Sequence, residues 1–295
     1  MESIFTDLKR TFQQKGILSK LIYVNVGVFI LIRLSAVVCA LFKEELTPFL
    51  QYLEVPSFVP LLLHRPWTLL TYMFTHFDFL HILFNMLWLY WFGKLFLYFF
   101  NERQLCGLYI EGGIAGAFLF VLAYNVFPFF EEEVLRSFMM GASASVMAIV
   151  FAVSFYRKNY EIGLLFLGKV KLIYLALFTL IIDLLAVTSS NAGGHIAHIG
   201  GALLGILFAY GIRNGWDLTK PVNAVIDLFV NLFRRRPQMK VTYSNSKRPE
   251  TDYEYNTRKN KEVAEIDTIL EKLRRSGYES LSAEEKRKLF DASKK

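Results

Sequence analysis

Cysteine is nearly absent from this 295-residue sequence, which holds only Cys39 and Cys106. Both sit inside long apolar stretches, where a thiol packs as a small hydrophobe. A disulfide framework and a cysteine-based zinc site are therefore excluded. Charge is also scarce through most of the chain. About 15 of the 33 basic and about 13 of the 26 acidic residues fall before residue 216, and the short remainder carries the rest. No H-E-x-x-H occurs, which removes a zinc protease of that kind, and there is no tandem repeat or low-complexity tract.

What the sequence has in abundance is apolar surface: 54% of residues are hydrophobic and 16% aromatic. That excludes a disordered chain and argues against a simple water-soluble enzyme. A net charge of +7 would suit nucleic acid in a soluble protein, but in a membrane protein the same excess marks the cytoplasmic ends of helices. No nucleic-acid partner is expected.

A membrane-spanning helix needs about 20 apolar residues. Six stretches qualify: 21–42, 79–100, 104–125, 138–156, 172–188 and 192–212. The first is too long and too late for a cleaved signal peptide, and no small-x-small site follows it, so it is expected to remain. Lys9, Arg10, Lys15 and Lys20 precede span one; Lys94 and Arg103 flank the turn from two to three; Arg157, Lys158, Lys169 and Lys171 lie between four and five. Arg213 and the run 234–236 follow span six, whereas the connection 129–137 is led by Glu131, Glu132 and Glu133. The positive-inside rule then places both termini in the cytoplasm.

The expected fold class is all-α, a polytopic bundle of six transmembrane helices with a small helical cytoplasmic tail. Residues 1–20 form a cytoplasmic N-terminal amphipathic segment, 21–215 the membrane domain, 216–260 an interfacial helix and linker, and 261–295 a helical hairpin. Segment 43–78 reads as an outer loop half-immersed at the interface. Val222, Val225, Ile226, Phe229 and Phe233 recur at helical spacing and suit a helix lying on the inner membrane face. A polar linker is expected at 237–260. Ile266, Ile269, Leu270 and Leu273 then mark an amphipathic helix that Gly277 stops, and Ser282 with Glu285 forms a capping-box pattern before a second helix.

Polar side chains inside a bilayer are expensive and mark function. His76, His81 and Asn85 open span two; Gly141, Ser143 and Ser145 open span four; Gly193, Gly194, His195 and His198 open span six. All three spans run inward from the outer face. Ser143 and His198 lie about five or six residues below their span starts, or about 8 to 9 Å at helical rise, so the three sets share one depth. A serine nucleophile needs a base within hydrogen-bond reach, and an oxyanion needs preorganised donors. Ser143 can be the nucleophile and His198 the base. His81 and Asn85, four apart on one helix face, can donate to the oxyanion with the backbone N–H of Ser143. Gly141 removes a side chain where a substrate strand would lie. Gly201 and Gly205, and Gly112 and Gly116, form G-x-x-x-G steps that let helix backbones touch. Arg33 and Glu111 are expected to face the bundle interior as structural pairs.

Taken together, the R-P-W-T-L-L-T-Y-M-F-T-H run from Arg65, the H-x-x-x-x-H-x-x-x-N run from His76 to Asn85, the G-A-S of Gly141 to Ser143 and the A-H-I-G-G-A-L-L-G run from Ala197 resemble the rhomboid intramembrane serine proteases. They occur in that family's order over about residues 20 to 212. The resemblance implies a bacterial six-helix rhomboid with a cytoplasmic C-terminal extension, in the inner (plasma) membrane. It implies a Ser143–His198 dyad, His81 and Asn85 as oxyanion residues, and His76 as a site-supporting histidine. Its implied reaction is cleavage of single-pass membrane proteins at or near the outer membrane boundary, without cofactor or metal, with the lipid bilayer as surroundings and the tail open to a cytoplasmic partner. Two departures stand out: Ala144 replaces the last Gly of G-x-S-G, and Met147 occupies the position of an aromatic residue that often stacks on the catalytic histidine.

Other readings stay open. His195 lies on nearly the same face as His198 and could exchange roles with it, although the A-H-x-G-G context fits His198. Asp183, near the outer end of span five, could orient His198, although the resemblance implies a dyad. A catalytically inactive rhomboid-like scaffold that binds membrane segments would keep the same bundle. A metal or haem membrane protein would use His76, His81, His195 and His198, since transition metals favour imidazole.

Overall fold

The computed structural model describes residues 16–164, 168–233 and 251–292. The N-terminal segment through residue 15 and the polar stretch 234–250 lie outside the described residues. The chain forms two units, Met1–Arg235 and Arg236–Lys295.

Among the described residues, the first unit is built on six apolar helices. Four are long enough to cross a membrane: α1 (Ile17–Leu41), α2 (Phe79–Phe99), α3 (Glu102–Val126) and, later in the chain, α6 (Ala192–Arg213). Between α3 and α6 come α4 (Ser143–Tyr156) and α5 (Leu172–Leu185), each of 14 residues. At 1.5 Å per residue such a helix spans about 21 Å, short of the roughly 30 Å hydrocarbon core. Two of the six expected spans are thus helical over fewer residues than expected, 143–156 and 172–185. Residues 138–142 do not extend α4, because β2 (Phe138–Met139) pairs antiparallel with β1 (Val55–Pro56).

Burial explains how a short helix is tolerated. Ala144 through Ser154 of α4 are all buried, so α4 is enclosed by its neighbours and has no lipid-facing stripe to match to the bilayer. By contrast α1 exposes Val24, Ile30, Leu31, Leu34, Val37, Val38 and Leu41, a face that is stable only against lipid.

The α3–α4–α6 contact is a seam of small residues. A Cβ placed on Gly201 would lie 2.1 Å from the carbonyl oxygen of Ala144, and one on Gly205 would lie 2.3 Å from that of Ala148. On α3, a Cβ at Gly116 or Gly112 would lie 2.4 Å from the Cβ of Ala144 or Ala148 respectively. Both expected G-x-x-x-G steps thus face α4. Ala144, the departure from G-x-S-G, is accommodated because its methyl sits against Gly116.

Segment 43–78 is folded rather than loose: helical turns at Thr47–Leu50, Val59–His64, Thr68–Thr71 and Tyr72–Phe74 surround β1. Thr68, Tyr72 and Met73 are buried while Phe49, Leu63 and Trp67 are exposed, the two-sided character expected of an interfacial segment. After α4, the basic connection folds as a hairpin, β3 (Glu161–Leu164) with β4 (Gly168–Lys171). Helix α7 (Lys220–Phe233) follows α6. It docks on the start of α3 through an Asn223 amide donated to the Arg103 carbonyl at 3.1 Å and an Arg103–Asp227 ion pair. Val225, Leu228, Phe229 and Leu232 remain exposed.

Arg33 and Glu111 do not form the expected interior pairs. Arg33 is exposed, with its guanidinium 4.8 Å from the Phe77 ring centroid. A Glu111 carboxylate oxygen is buried without a hydrogen-bond partner among the described residues.

The second unit is a hairpin of α8 (Asp252–Ser276) and α9 (Ala283–Ala292). Helix α8 begins earlier than expected, because Thr251 and Glu254 form a capping box. The last part of the supposed 237–260 linker is therefore helical. Gly277 ends α8 at φ +79°, and Ser282 and Glu285 cap α9 reciprocally. Ile269 and Leu281 are buried between the arms, which Lys272–Glu285 and Lys288–Glu265 bridge.

Candidate active site

The short α4 leaves a pit above its first residue. Ser143 is the N-terminal residue of that helix, where backbone N–H groups have no intrahelical acceptor. A cavity of about 750 Å³ opens there, lined among others by His81, Asn85, Gly141, Ser143, Asp183 and His198. Residues singled out on spans two, four and six thus meet at one place, although Ser145 and His195 are not in the lining. The route differs from the expectation for Ser143, which is the first residue of its helix rather than a turn and a half down one, and follows the short strand β2 and three connecting residues. His198 sits six residues inside α6, as expected, and one turn above Gly201, where α6 touches the Ala144 backbone.

His81 and Asn85 share a face of α2. Asp78 caps that helix by accepting the His81 N–H at 2.9 Å, and the Asn85 amide donates to the His81 carbonyl at 2.9 Å. Asp78 was missed in the sequence, although an Asp three residues ahead of His81 has the form of a helix N-cap. Gly141 has φ +120°, and a Cβ there would fall 2.7 Å from His81 Cε1. Only glycine brings the chain this close to the imidazole. Its N–H donates to the Tyr72 carbonyl at 2.9 Å, and the Tyr72 hydroxyl donates to the Gly113 carbonyl at 2.6 Å. Tyr72, also missed, ties the loop before Ser143 to α3.

His76 lies outside the cavity lining but supports it from behind. The Ala142 N–H donates to His76 Nε2 at 3.2 Å, and the His76 ring meets that of His81 edge-on at 5.1 Å. Burial, helped by the neighbouring His81, lowers the His76 pKa to about 4. It stays neutral, as an acceptor at Nε2 requires.

Asp183 reaches His198, as the sequence left open, and also holds His195. It is buried on α5, and one carboxylate oxygen, Oδ1, lies 2.8 Å from His195 Nδ1 and 2.9 Å from His198 Nδ1. The two imidazoles, three residues apart on α6, share one anchor. Among the described hydrogen bonds, neither the Ser143 hydroxyl nor His198 Nε2 is engaged. Catalytic hydrogen bonds are often long or unformed without substrate. The four histidines do not converge on one point: His76 pairs with His81, and His195 with His198 at 5.9 Å between ring centroids. Among the described residues, the ligand-bearing side chains that gather closely are Asp183, His195 and His198. That corrects the four-histidine form of the metal or haem reading.

The rhomboid domain family matches residues 63–215, more than half of the chain and every residue of this cavity named above. The chain belongs to the rhomboid family. Rhomboid membership and the apolar helices make it an integral, multi-pass membrane protein of the all-α class. A similar protein is the mitochondrial RHOMBOID-like protein 12 of Arabidopsis thaliana, 28% identical over 204 residues, covering 66% of this chain and 58% of the relative. The match thus spans less than two thirds of that relative's length. Residues 250–295, the α8–α9 hairpin, match a family of unknown function (DUF6576).

Proposed function

We propose that this rhomboid is an intramembrane serine endopeptidase that cleaves single-pass membrane proteins near the outer membrane boundary. Ser143 is the nucleophile and His198 the general base. One observation carries the reading: Ser143 and His198 line the same cavity while Asp183 occupies His198 Nδ1. An ionised Asp183 can only accept, so the proton sits on Nδ1 and leaves Nε2 as the basic nitrogen. That tautomer takes the Ser143 proton as the hydroxyl attacks the scissile carbonyl and returns it to the leaving amine. The Ser143 N–H at the start of α4, with His81 and Asn85, holds the oxyanion. Water then releases the acyl-enzyme.

The basic connections support placing both termini on the cytoplasmic side of the membrane. The exposed apolar row of α7 supports an interfacial helix on the inner face. The α8–α9 hairpin is then free to recruit a cytoplasmic partner.

The test is labelling of the detergent-purified protein with a fluorophosphonate probe, alongside cleavage of a single-span reporter. Wild type should label and cut, and Ser143→Ala and His198→Ala should lose about 1000-fold or more of the cleavage rate. Equal labelling of wild type and Ser143→Ala would remove Ser143 as nucleophile. Reporter binding without fragments from the wild type would establish the inactive scaffold instead.

A further inference from the structure

The Asp183 cluster has a chemistry that proton transfer does not use. Two imidazole nitrogens and a carboxylate oxygen lie within 4.8 Å of one another. The side chains are not sealed away: His195 and His198 are 20% and 22% exposed, while Asp183 is 6% exposed. This is a nitrogen–oxygen donor set of the kind that binds zinc, with three protein ligands and a fourth position left for water. Ligands about 2.0 to 2.1 Å from a tetrahedral ion sit roughly 3.3 Å apart. The hydrogen-bonded separations of 2.8 and 2.9 Å need to open by only a few tenths of an ångström, and the two imidazole nitrogens, within 4.8 Å of each other, close on the ion. Because Asp183 and His198 line the cavity, the fourth position can face its water.

We infer that Asp183, His195 and His198 form an inhibitory site for a divalent transition cation such as Zn²⁺. The inference rests on the proposed role of His198 as base. Zinc bound at Nδ1 takes the lone pair of that nitrogen, so the ring proton moves from Nδ1 to Nε2. No proton is gained or lost by a neutral ring. The consequence for Ser143 is decisive: an Nε2 that carries a proton cannot accept another. Metal binding and general-base function at His198 are mutually exclusive, and His195 holds the metal without serving as the base.

The experiment uses full-length protein in detergent, stripped with chelator and titrated with zinc chloride by calorimetry, in parallel with reporter cleavage. Wild type should bind one zinc ion in a site that His195→Asn weakens at least about 10-fold, the smallest effect typical of even an outer-shell partner. Zinc should suppress wild-type cleavage with the same midpoint, reversibly by chelator. The ratio of rates with and without zinc should be far less sensitive in His195→Asn, whatever its basal rate. X-ray absorption on zinc-loaded wild type should show two imidazole ligands, a readout that needs no variant. Binding independent of His195, an imidazole-free zinc environment, or cleavage unaffected or raised by saturating zinc would each overturn the inference. If wild type cuts nothing, the endopeptidase reading fails, while the same titration of Ser143→Ala still decides the metal site.

Discussion

The first turn of α4 and the remainder of the same helix follow opposite rules. Below Ser143, α4 is held by missing atoms: Gly112 and Gly116 on one side and Gly201 and Gly205 on the other bring three backbones together. At Ser143 the helix opens on a cavity where nearly every element contributes a group able to donate, accept or carry charge. The rigid seam fixes the separation of α4 and α6, and the site inherits that accuracy. A nucleophile and base borne on different helices need such a support, since a 1 Å misplacement can cost about 100-fold in rate.

The largest expected effect that sharpens this contrast is at the polar end. Asp183→Asn replaces a pure acceptor with a group that can also donate, and so permits the wrong His198 tautomer. Turnover should fall by up to about 10⁴-fold, the loss known for a comparable carboxylate, with KM and thermal stability little changed. Asp183→Glu should restore part of it. A parallel loss of melting temperature in Asp183→Asn would make the carboxylate structural instead.

Gly141 and Gly201 set the two ends against each other directly. Gly141→Ala forces a Cβ onto His81 at a backbone angle that L side chains rarely adopt. It should cost about 100- to 1000-fold in cleavage rate, as for loss of one oxyanion donor, with a modest stability change. Gly201→Ala drives a methyl into the Ala144 carbonyl and should cost about 1 to 3 kcal/mol of stability. Thermal unfolding in detergent, scored beside reporter cleavage, separates them. If Gly141→Ala melts earlier than Gly201→Ala, the division between site and support is wrong.

The same division governs what could be read in the sequence. The seam was legible because close helix approach in lipid selects glycine at i, i+4, a local pattern. The chemical residues were legible because a bilayer makes every polar side chain conspicuous. The start of α4 was not: residues 138–142 are as apolar as a helix would be, and only the pairing of Phe138 and Met139 with Pro56 and Val55, over 80 residues away, makes those two extended. The double attachment of Asp183 likewise depends on how α5 lies against α6, which no spacing encodes. Asp78 and the Thr251–Glu254 box were different, since both carried local capping signals.

The smallest expected effect concerns Glu54, which adjoins β1 and hence the strand that leads to Ser143. It is buried at 7% exposure, and burial raises its pKa from 4.5 to about 7. The folded state therefore binds this proton more tightly than the unfolded chain. The stabilisation is fully present below pH 4.5, declines as pH rises and is lost above about 7. His76 works in the opposite sense: its pKa falls from 6.5 to about 4, so its contribution is present above pH 6.5 and is lost as pH drops through 4. The glycine–alanine seam, having nothing to titrate, adds no slope. Between pH 4.5 and 6.5 the two contributions oppose each other, so melting temperatures should rise more steeply with pH in Glu54→Gln than in the wild type. An unchanged slope in Glu54→Gln would move the titration away from β1, and with it the idea that pH acts on this fold through the end that holds the cavity.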